Sequence, residues 1–419
     1  MLLSFDNEKR AKYMSQIMKH RTEKIFAVLV TLTIFVTRFD MSKGLLMNGF
    51  LLFLGACLLI LWRKQIPPIS KDIKGYLKAI AIYYVCIIPS ILFSDKPYIS
   101  LLILCFLLFQ YGCFAVIILL VRQREYLVGM LKAYLFFSGF DCMLTLIQLV
   151  TGYALDNRGY GFGGWLLSIA DIFCMLLPIT LVILMDPRFE KQLKQSAAFA
   201  MLGIITGLLS NKSRGAWLTE LIVVPIAVFQ YLKQNRKYLI TFSLVLLSIV
   251  SYMATNPQYV QRIRSITNTT TDHSNTNRIW AWKSAKLMIQ DYPIAGVGVG
   301  MFQDKYEQTY KFEQETQNMF HTHNNFIQVA AECGMIGVAG FLYFIWYFLY
   351  TSLKNYIKNN NPYDILVFTV FLAHICLFGQ IDYTLWNGAG MHPIFLFLTA
   401  ILLRLKETDN QCMLQEELN

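Results

Sequence analysis

The sequence predicts an all-α polytopic membrane protein of about twelve spanning helices. Three observations carry that expectation. The chain is 56% hydrophobic and 15% charged over 419 residues, more apolar surface than a soluble domain can cover without exposing patches that aggregate. Apolar runs of roughly 20 residues, the length a bilayer core demands, recur along it. Finally, Lys and Arg stand in short clusters between those runs. The formal charge of +11 therefore collects on no single face or arm, which argues against a nucleic-acid partner.

The runs fall near 25–40, 45–62, 77–93, 99–121, 126–151, 160–185, 197–211, 214–232, 238–255, 325–352, 363–380 and 389–405. The first follows a basic segment (Lys9, Arg10, Lys12, Lys19, Arg21, Lys24) and has no small-residue cleavage site, so it reads as a retained helix rather than a signal peptide. Alternate loops then differ in charge. One face receives the basic N-terminus, Arg63, Lys64, Arg122, Arg124, Arg188, Lys233, Arg236, Lys354, Lys358, Arg404 and Lys406. The short loops of the other receive only Arg38, Lys43, Lys96, Arg158, Lys212 and Arg214. The positive-inside rule makes the first face cytoplasmic and places both termini there.

The domain organisation follows. Residues 1–255 form an N-terminal bundle of about nine spanning helices, 256–324 a long hydrophilic excursion on the outer face, 325–405 three further spans, and 406–419 a cytoplasmic tail. Long loops of this kind are usually functional or disordered. Within it, the Ser/Thr/Asn-rich stretch 265–277 reads as a mobile linker, and 278–289 as an amphipathic helix at the membrane surface. No internal repeat of the secondary-transporter kind is visible. Eight cysteines fall within the predicted spans and no CxxC pair exists, so they read as small apolar residues.

Three short patches on the outer face could carry chemistry. Asn211-Lys212-Ser213-Arg214-Gly215-Ala216-Trp217 is a tight turn that puts two cations where the face otherwise avoids them; an Arg snorkelling to headgroups is the bland alternative. Arg278 stands beside Trp280 and Trp282, guanidinium and indole at a membrane surface, which suits a ligand with phosphates, sugars and a lipid tail. The following Pro293-Ile294-Ala295-Gly296-Val297-Gly298-Val299-Gly300 lacks the Lys-Ser/Thr end of a Walker loop and reads as a flexible turn. His321-Thr322-His323-Asn324-Asn325 offers two imidazoles with no third zinc ligand at usual spacing. A histidine there is either structural or a general base for a hydroxyl. Within the spans, Asp171, Glu220 and Glu332 are expensive, and they rank as structural or supporting groups.

In their order and spacing, Ser213-Arg214-Gly215-Ala216-Trp217, Arg278 with Trp282, Pro293 through Gly300, and His323-Asn324 leading into Ala331-Glu332-Cys333-Gly334 resemble the O-antigen ligase and O-antigen polymerase family of bacterial membrane glycosyltransferases. The resemblance is strongest over about 205–345, and the earlier 200 residues show only the general membrane pattern. It implies a GT-C-like fold in the inner membrane. It also implies transfer of a glycan from undecaprenyl diphosphate to lipid A–core oligosaccharide at the periplasmic face, without cofactor or metal. Arg214 and Arg278 would then clamp the diphosphate and His323 would act as base, with His321 as the alternative base. Lys212, Arg158, Asn324 and Trp282 would be substrate contacts. The residues themselves agree with a metal-free reading, since no Asp-x-Asp occurs and the single Glu-x-Asp (Glu407, Asp409) lies in the predicted cytoplasmic tail. Arginine forks are the other means of stabilising a leaving diphosphate. Two alternatives stand beside the ligase: a polymerase joining carrier-linked repeat units, and a transporter or flippase with Asp171, Glu220 and Glu332 along its path.

Overall fold

The computed structural model describes residues 2–62, 69–315, 317–385 and 391–418, with side chains over 20–60, 69–315, 317–385 and 391–411. Arg63, Lys64 and the start of the last apolar run at 389–390 lie outside the described residues, as do the side chains of Lys9, Arg10, Lys12 and Lys19. In chain order the helices are α1 (Leu2–Phe39), α2 (Met41–Trp62), α3 (Lys71–Leu92), α4 (Pro97–Phe109), α5 (Gly112–Leu120), α6 (Arg124–Thr151), α7 (Leu166–Met185) and α8 (Lys191–Asn211). They continue as α9 (Arg214–Gln234), α10 (Arg236–Thr255), α11 (Pro257–Arg264), α12 (His273–Asp291), α13 (Phe302–Lys305), α14 (Asn325–Asn359), α15 (Pro362–Phe371) and α16 (Met391–Leu418). Among the described residues there is no strand, only a bridge between Leu155 and Arg158.

Among the described residues nine helices are long and apolar enough to span a bilayer, and α4 with α5, bent by 41°, makes up to ten if the pair is one span. The apolar runs at the two ends of the sequence fall within α1 and α16. The run expected at 160–185 becomes helical only at Leu166, because 160–165 belongs to a loop that folds over the end of the bundle. α6 packs along α8, α3 along α14, and α7 against α8 and α9. By contrast α10 buries no residue at all and offers its apolar side chains outward, as a lipid-facing helix does.

The excursion at 256–324 is built differently from the expectation. The apolar face of α12 is spent on protein: Ala281, Ala285 and Met288 are fully buried against Val297, Met301, Phe302, Tyr306 and Ala331 in a second, smaller core. Nor is 265–277 a bare linker, since Asn275 Nδ2 donates to the carbonyls of Ser265 and Asn268 and Asp272 caps α12 through the Asn275 N–H. The glycine run is likewise no loose turn. It docks on a break in α14 at Gly334 (φ +58°), with Val297 N donating to Ala331 O, Gly298 N to Glu332 O and Met335 N to Pro293 O. A Cβ on Gly296 would meet the Glu332 backbone at 2.3 Å, so the approach requires glycine. The Glu332 carboxylate accepts from Phe302 N at 3.1 Å and fastens the same junction. The 256–324 segment is thereby fixed to the bundle end that carries the 94–97, 152–165, 211–213 and 381–385 loops.

Candidate functional site

The turn between α8 and α9 is made by Lys212 in a left-handed conformation (φ +53°), followed by Ser213, whose hydroxyl caps α9 through Ala216 N. Arg214 is thus the first residue of α9. Its guanidinium donates from Nη1 to Ser265 O at 2.7 Å and Asp272 Oδ2 at 2.9 Å, and from Nη2 to Asp272 Oδ1 at 3.3 Å. Arg214 is therefore more than an interfacial cation: it ties the turn to the start of α12. Gly215 is small for a local reason, since a Cβ there would come within 2.8 Å of Ile381.

Arg278 lies on α12 and reaches the same place from the other side. Its Nε donates to Ile381 O at 3.2 Å and its Nη1 to Ser274 Oγ at 2.6 Å. Burial lowers its proton affinity, the nearby Asp382 opposes that, and Arg214 adds to it. One turn on, Trp282 Nε1 donates to Thr322 O at 2.8 Å and holds the histidine segment against α12. Trp280 packs at a tilt against Phe312 and lies under the Lys283 ammonium, away from these contacts.

The histidines precede α14. His323 has φ +53°, uncommon for a residue with a Cβ and held here by its neighbours. Asn324 is the N-cap of α14, accepting from Phe326 N and Ile327 N and donating to Gln380. That cap fixes the entry of the chain, and Thr322 N bonds back to Gln328 Oε1 at 2.8 Å. His323 N donates to His321 Nδ1 at 3.2 Å. His323 Nδ1 meets Asp382 Oδ1 at 2.9 Å. Since an ionised carboxylate only accepts, Nδ1 carries the proton and Nε2 is left as the basic nitrogen. The carboxylate of Asp382 is 7% exposed and the imidazole of His323 25%, so the pair has a buried acid and an accessible ring. Burial would raise Asp382, but His323, His321 and Arg278 outweigh it and hold the carboxyl at about 2. His321, desolvated and beside His323, is pushed down to about 4.

Asp382 is a candidate site residue that the sequence analysis missed. It is 59 positions from His323, in a short loop with no motif of its own. A carboxylate at the end of a predicted span, on the face already holding the other candidates, was the available signal. A buried polar network presents it. Asn325 pairs with Thr384 through two hydrogen bonds of 2.8 Å, Thr384 Oγ1 donates to His374 O, and His374 Nδ1 lies 2.7 Å from Asp171. Asp171 thus serves a pairing role, whereas Glu220 is buried with no hydrogen-bond partner among the described residues.

Two further predicted contacts border this cluster. Arg158 donates from Nε to Asn211 O at 2.7 Å, and Lys212 Nζ reaches Gln258 Oε1 at 2.7 Å. Arg262, unremarked in the sequence, lies beside them with Nη2 3.4 Å from Lys212 O. A third potential metal ligand, which the spacing around the histidines does not supply, comes from elsewhere in the chain: one donor atom each of His321, His323 and Asp382 lie within 4.8 Å of one another. These three residues could hold a divalent cation. The 2.9 Å contact equally makes a His–Asp hydrogen-bonded pair. The structure thus joins Arg278, His321 and His323 directly to the 381–382 segment, joins Arg214 to them through α12, and leaves Arg158 and Lys212 at the margin.

Residues 199–342 match the family model described as O-antigen ligase. An uncharacterized protein of Haemophilus influenzae is 23% identical over 216 residues, 48% of this chain and 53% of that protein, so the chain covers about half of that relative's length. The matched segment contains Lys212, Arg214, Arg278, Trp282, His321, His323 and Asn324 and excludes Arg158 and Asp382. Over residues 199–342 this multi-pass membrane chain is therefore similar to the O-antigen ligase family.

Proposed function

We propose that the chain is an inverting glycosyltransferase that moves O-antigen polysaccharide from undecaprenyl diphosphate to the lipid A–core oligosaccharide, at the periplasmic face of the bacterial inner membrane. The observation that carries this reading is the convergence of a guanidinium and an imidazole on two consecutive residues, Arg278 on Ile381 O and His323 on Asp382. In this account the acceptor hydroxyl oxygen attacks the anomeric carbon as its proton passes to His323 Nε2. The bond from that carbon to the diphosphate breaks, and the diphosphate leaves with the electron pair. Asp382 fixes the imidazole tautomer and stabilises the imidazolium that forms. Arg278 and Arg214 receive the charge growing on the diphosphate oxygens, which planar forks do better than point charges. Attack opposite the leaving group inverts the anomeric configuration. Trp282 and His321 border the substrates, while Lys212 and Arg158 stand beside the clamp and take no part in the transfer step. Both termini are cytoplasmic in this arrangement, as the loop charges imply.

The test is complementation of a ligase-null bacterial strain, read as a lipopolysaccharide ladder on a gel, with wild type, Arg278→Ala and His323→Ala at matched expression. A full ladder from wild type and none from the variants supports ligation at this site. Correct insertion with no ladder, but with polymerised carrier-linked glycan, would make the chain a polymerase. Movement of lipid-linked glycan across the membrane with no new glycosidic bond would make it a transporter.

A further inference from the structure

Three cations beside the clamp have no task in the transfer step. Arg158, Lys212 and Arg262 come from the 152–165 loop, the α8–α9 turn and α11, and they gather around two backbone carbonyls, those of Asn211 and Lys212. Lys212 is only 5% exposed, and Gln258 is the partner of its ammonium. Arg262 Nε is buried with no hydrogen-bond partner among the described residues. Among the described residues none of the three has a carboxylate at ion-pair distance, and the acids around them are Asp156 and Asp272. Asp272 is already engaged by Arg214. Burial first, and then neighbouring cations, lowers the proton affinity of each: Arg262 and Arg214 act on Arg158, which is pushed down to about 9, Arg262 and Arg158 on Lys212, and Arg214 on Arg262.

The group is also built rather than loosely placed. Gly159 N donates to Ser210 O at 3.2 Å and Asn211 Nδ2 donates to Gly159 O at 2.7 Å, so the Arg158 loop is stitched to the end of α8. The far side of that loop is held by a buried Arg38–Asp141 ion pair: Asp141 Oδ1 accepts from Phe162 N at 2.7 Å, and Arg38 bonds to Tyr160 O. Holding three partly desolvated cations together is unfavourable without an anion between them. Guanidinium forks and an ammonium are the donor set that a phosphate takes. The cluster adjoins the clamp without being part of it. Ser265 Oγ donates to Arg262 O, and the Ser265 carbonyl accepts from Arg214.

From this geometry we propose that Arg158, Lys212 and Arg262 form a second anion subsite, separate from the diphosphate clamp, which takes a phosphate group carried on the acceptor glycolipid and so selects phosphorylated acceptors. The placement of the diphosphate at Arg214 and Arg278 rests on the glycosyltransferase reading above; the anion subsite itself does not.

The experiment uses the full chain in lipid nanodiscs saturated with undecaprenyl diphosphate, titrated with lipid A–core glycolipid before and after phosphatase treatment. Wild type is expected to bind the phosphorylated glycolipid at least about tenfold tighter than the treated one. The double variant Arg158→Gln/Arg262→Gln should lose that difference while its affinity for undecaprenyl diphosphate, which also reports correct folding, stays within about twofold. A preference that survives in the double variant overturns the proposal. So does a large fall in carrier affinity with unchanged thermal melting, which would make the three cations part of one clamp. A parallel arm compares carriers bearing acidic and neutral glycans; a preference appearing there, and lost in the double variant, supports the subsite but assigns its anion to the donor. Transfer is measured separately: phosphate discrimination without any new glycosidic bond would sink the transferase reading and leave the subsite standing.

Discussion

At one end of the bundle, cations are paired with acids. Lys406 bridges Asp364 at 2.7 Å and Asp72 at 3.0 Å, Arg124 meets Asp409 and Glu190, Arg188 meets Asp186, and Arg404 meets Glu407. At the other end Arg158, Lys212, Arg262 and Arg278 bond to carbonyls, hydroxyls and amides, and Arg214 alone of the five has a carboxylate partner. The first arrangement fastens helix ends. The second holds positive charge in place with neutral acceptors, so that it stays available to an anion. The same residue types thus do structural work at one end and, in this cluster, are kept in reserve at the other, where Arg38–Asp141, Lys96–Asp304 and Lys305–Asp95 fasten the surrounding loops.

The comparison can be broken by exchanging roles. Arg278→Ala should lower transfer by about 10²–10³-fold, the cost of removing a donor aimed at developing charge, with insertion unchanged. Arg278→Lys should fail nearly as badly, because a point charge does not replace a fork. Arg214→Ala is the less clean probe, since it also frees Asp272 and Ser265 at the start of α12. Asp382→Asn should cost about 10²–10⁴-fold in turnover with little change in donor affinity, since it chiefly disturbs the imidazole. At the opposite end Lys406→Met should reduce stability by about 3 kcal/mol, seen as a lower melting temperature, while activity per folded molecule stays near wild type. A loss of turnover there without destabilisation would erase the distinction between the ends. Asp272→Asn keeps an N-cap while removing the charge that occupies Arg214, so the carrier should bind a few-fold more tightly. The smallest expected effect is that of chelator: activity should be unchanged, and a reversible loss would turn His321, His323 and Asp382 into metal ligands.

Much of the fold was legible because bilayer thickness imposes a length on each apolar run, and ten of the expected runs coincide with candidate spans or the bent pair. The expectations for 265–277, 278–289 and 293–300 went astray for a shared reason. The apolar residues of 278–289 have helical spacing whether they meet lipid or protein, and only the tertiary fold reveals their partner as the glycine run and α13. Arg214, Arg278 and His323 were legible because each sits in a short patch of unusual chemistry. Asp382 and Arg262 were not, since a lone acid and a lone base in polar segments have no periodicity or motif to mark them. Their significance is a matter of what they face: His323 for one, the carbonyl of Lys212 for the other.

The most direct test of the central claim is reconstitution of the purified full chain in nanodiscs with undecaprenyl-diphosphate-linked glycan and lipid A–core, following the new glycosidic bond by mass spectrometry. The account predicts ligated product and free undecaprenyl diphosphate from wild type, and neither from Arg278→Ala or His323→Ala. Ligated product from His323→Ala at the wild-type rate, or no product from a well-folded wild type that binds both substrates, would contradict it.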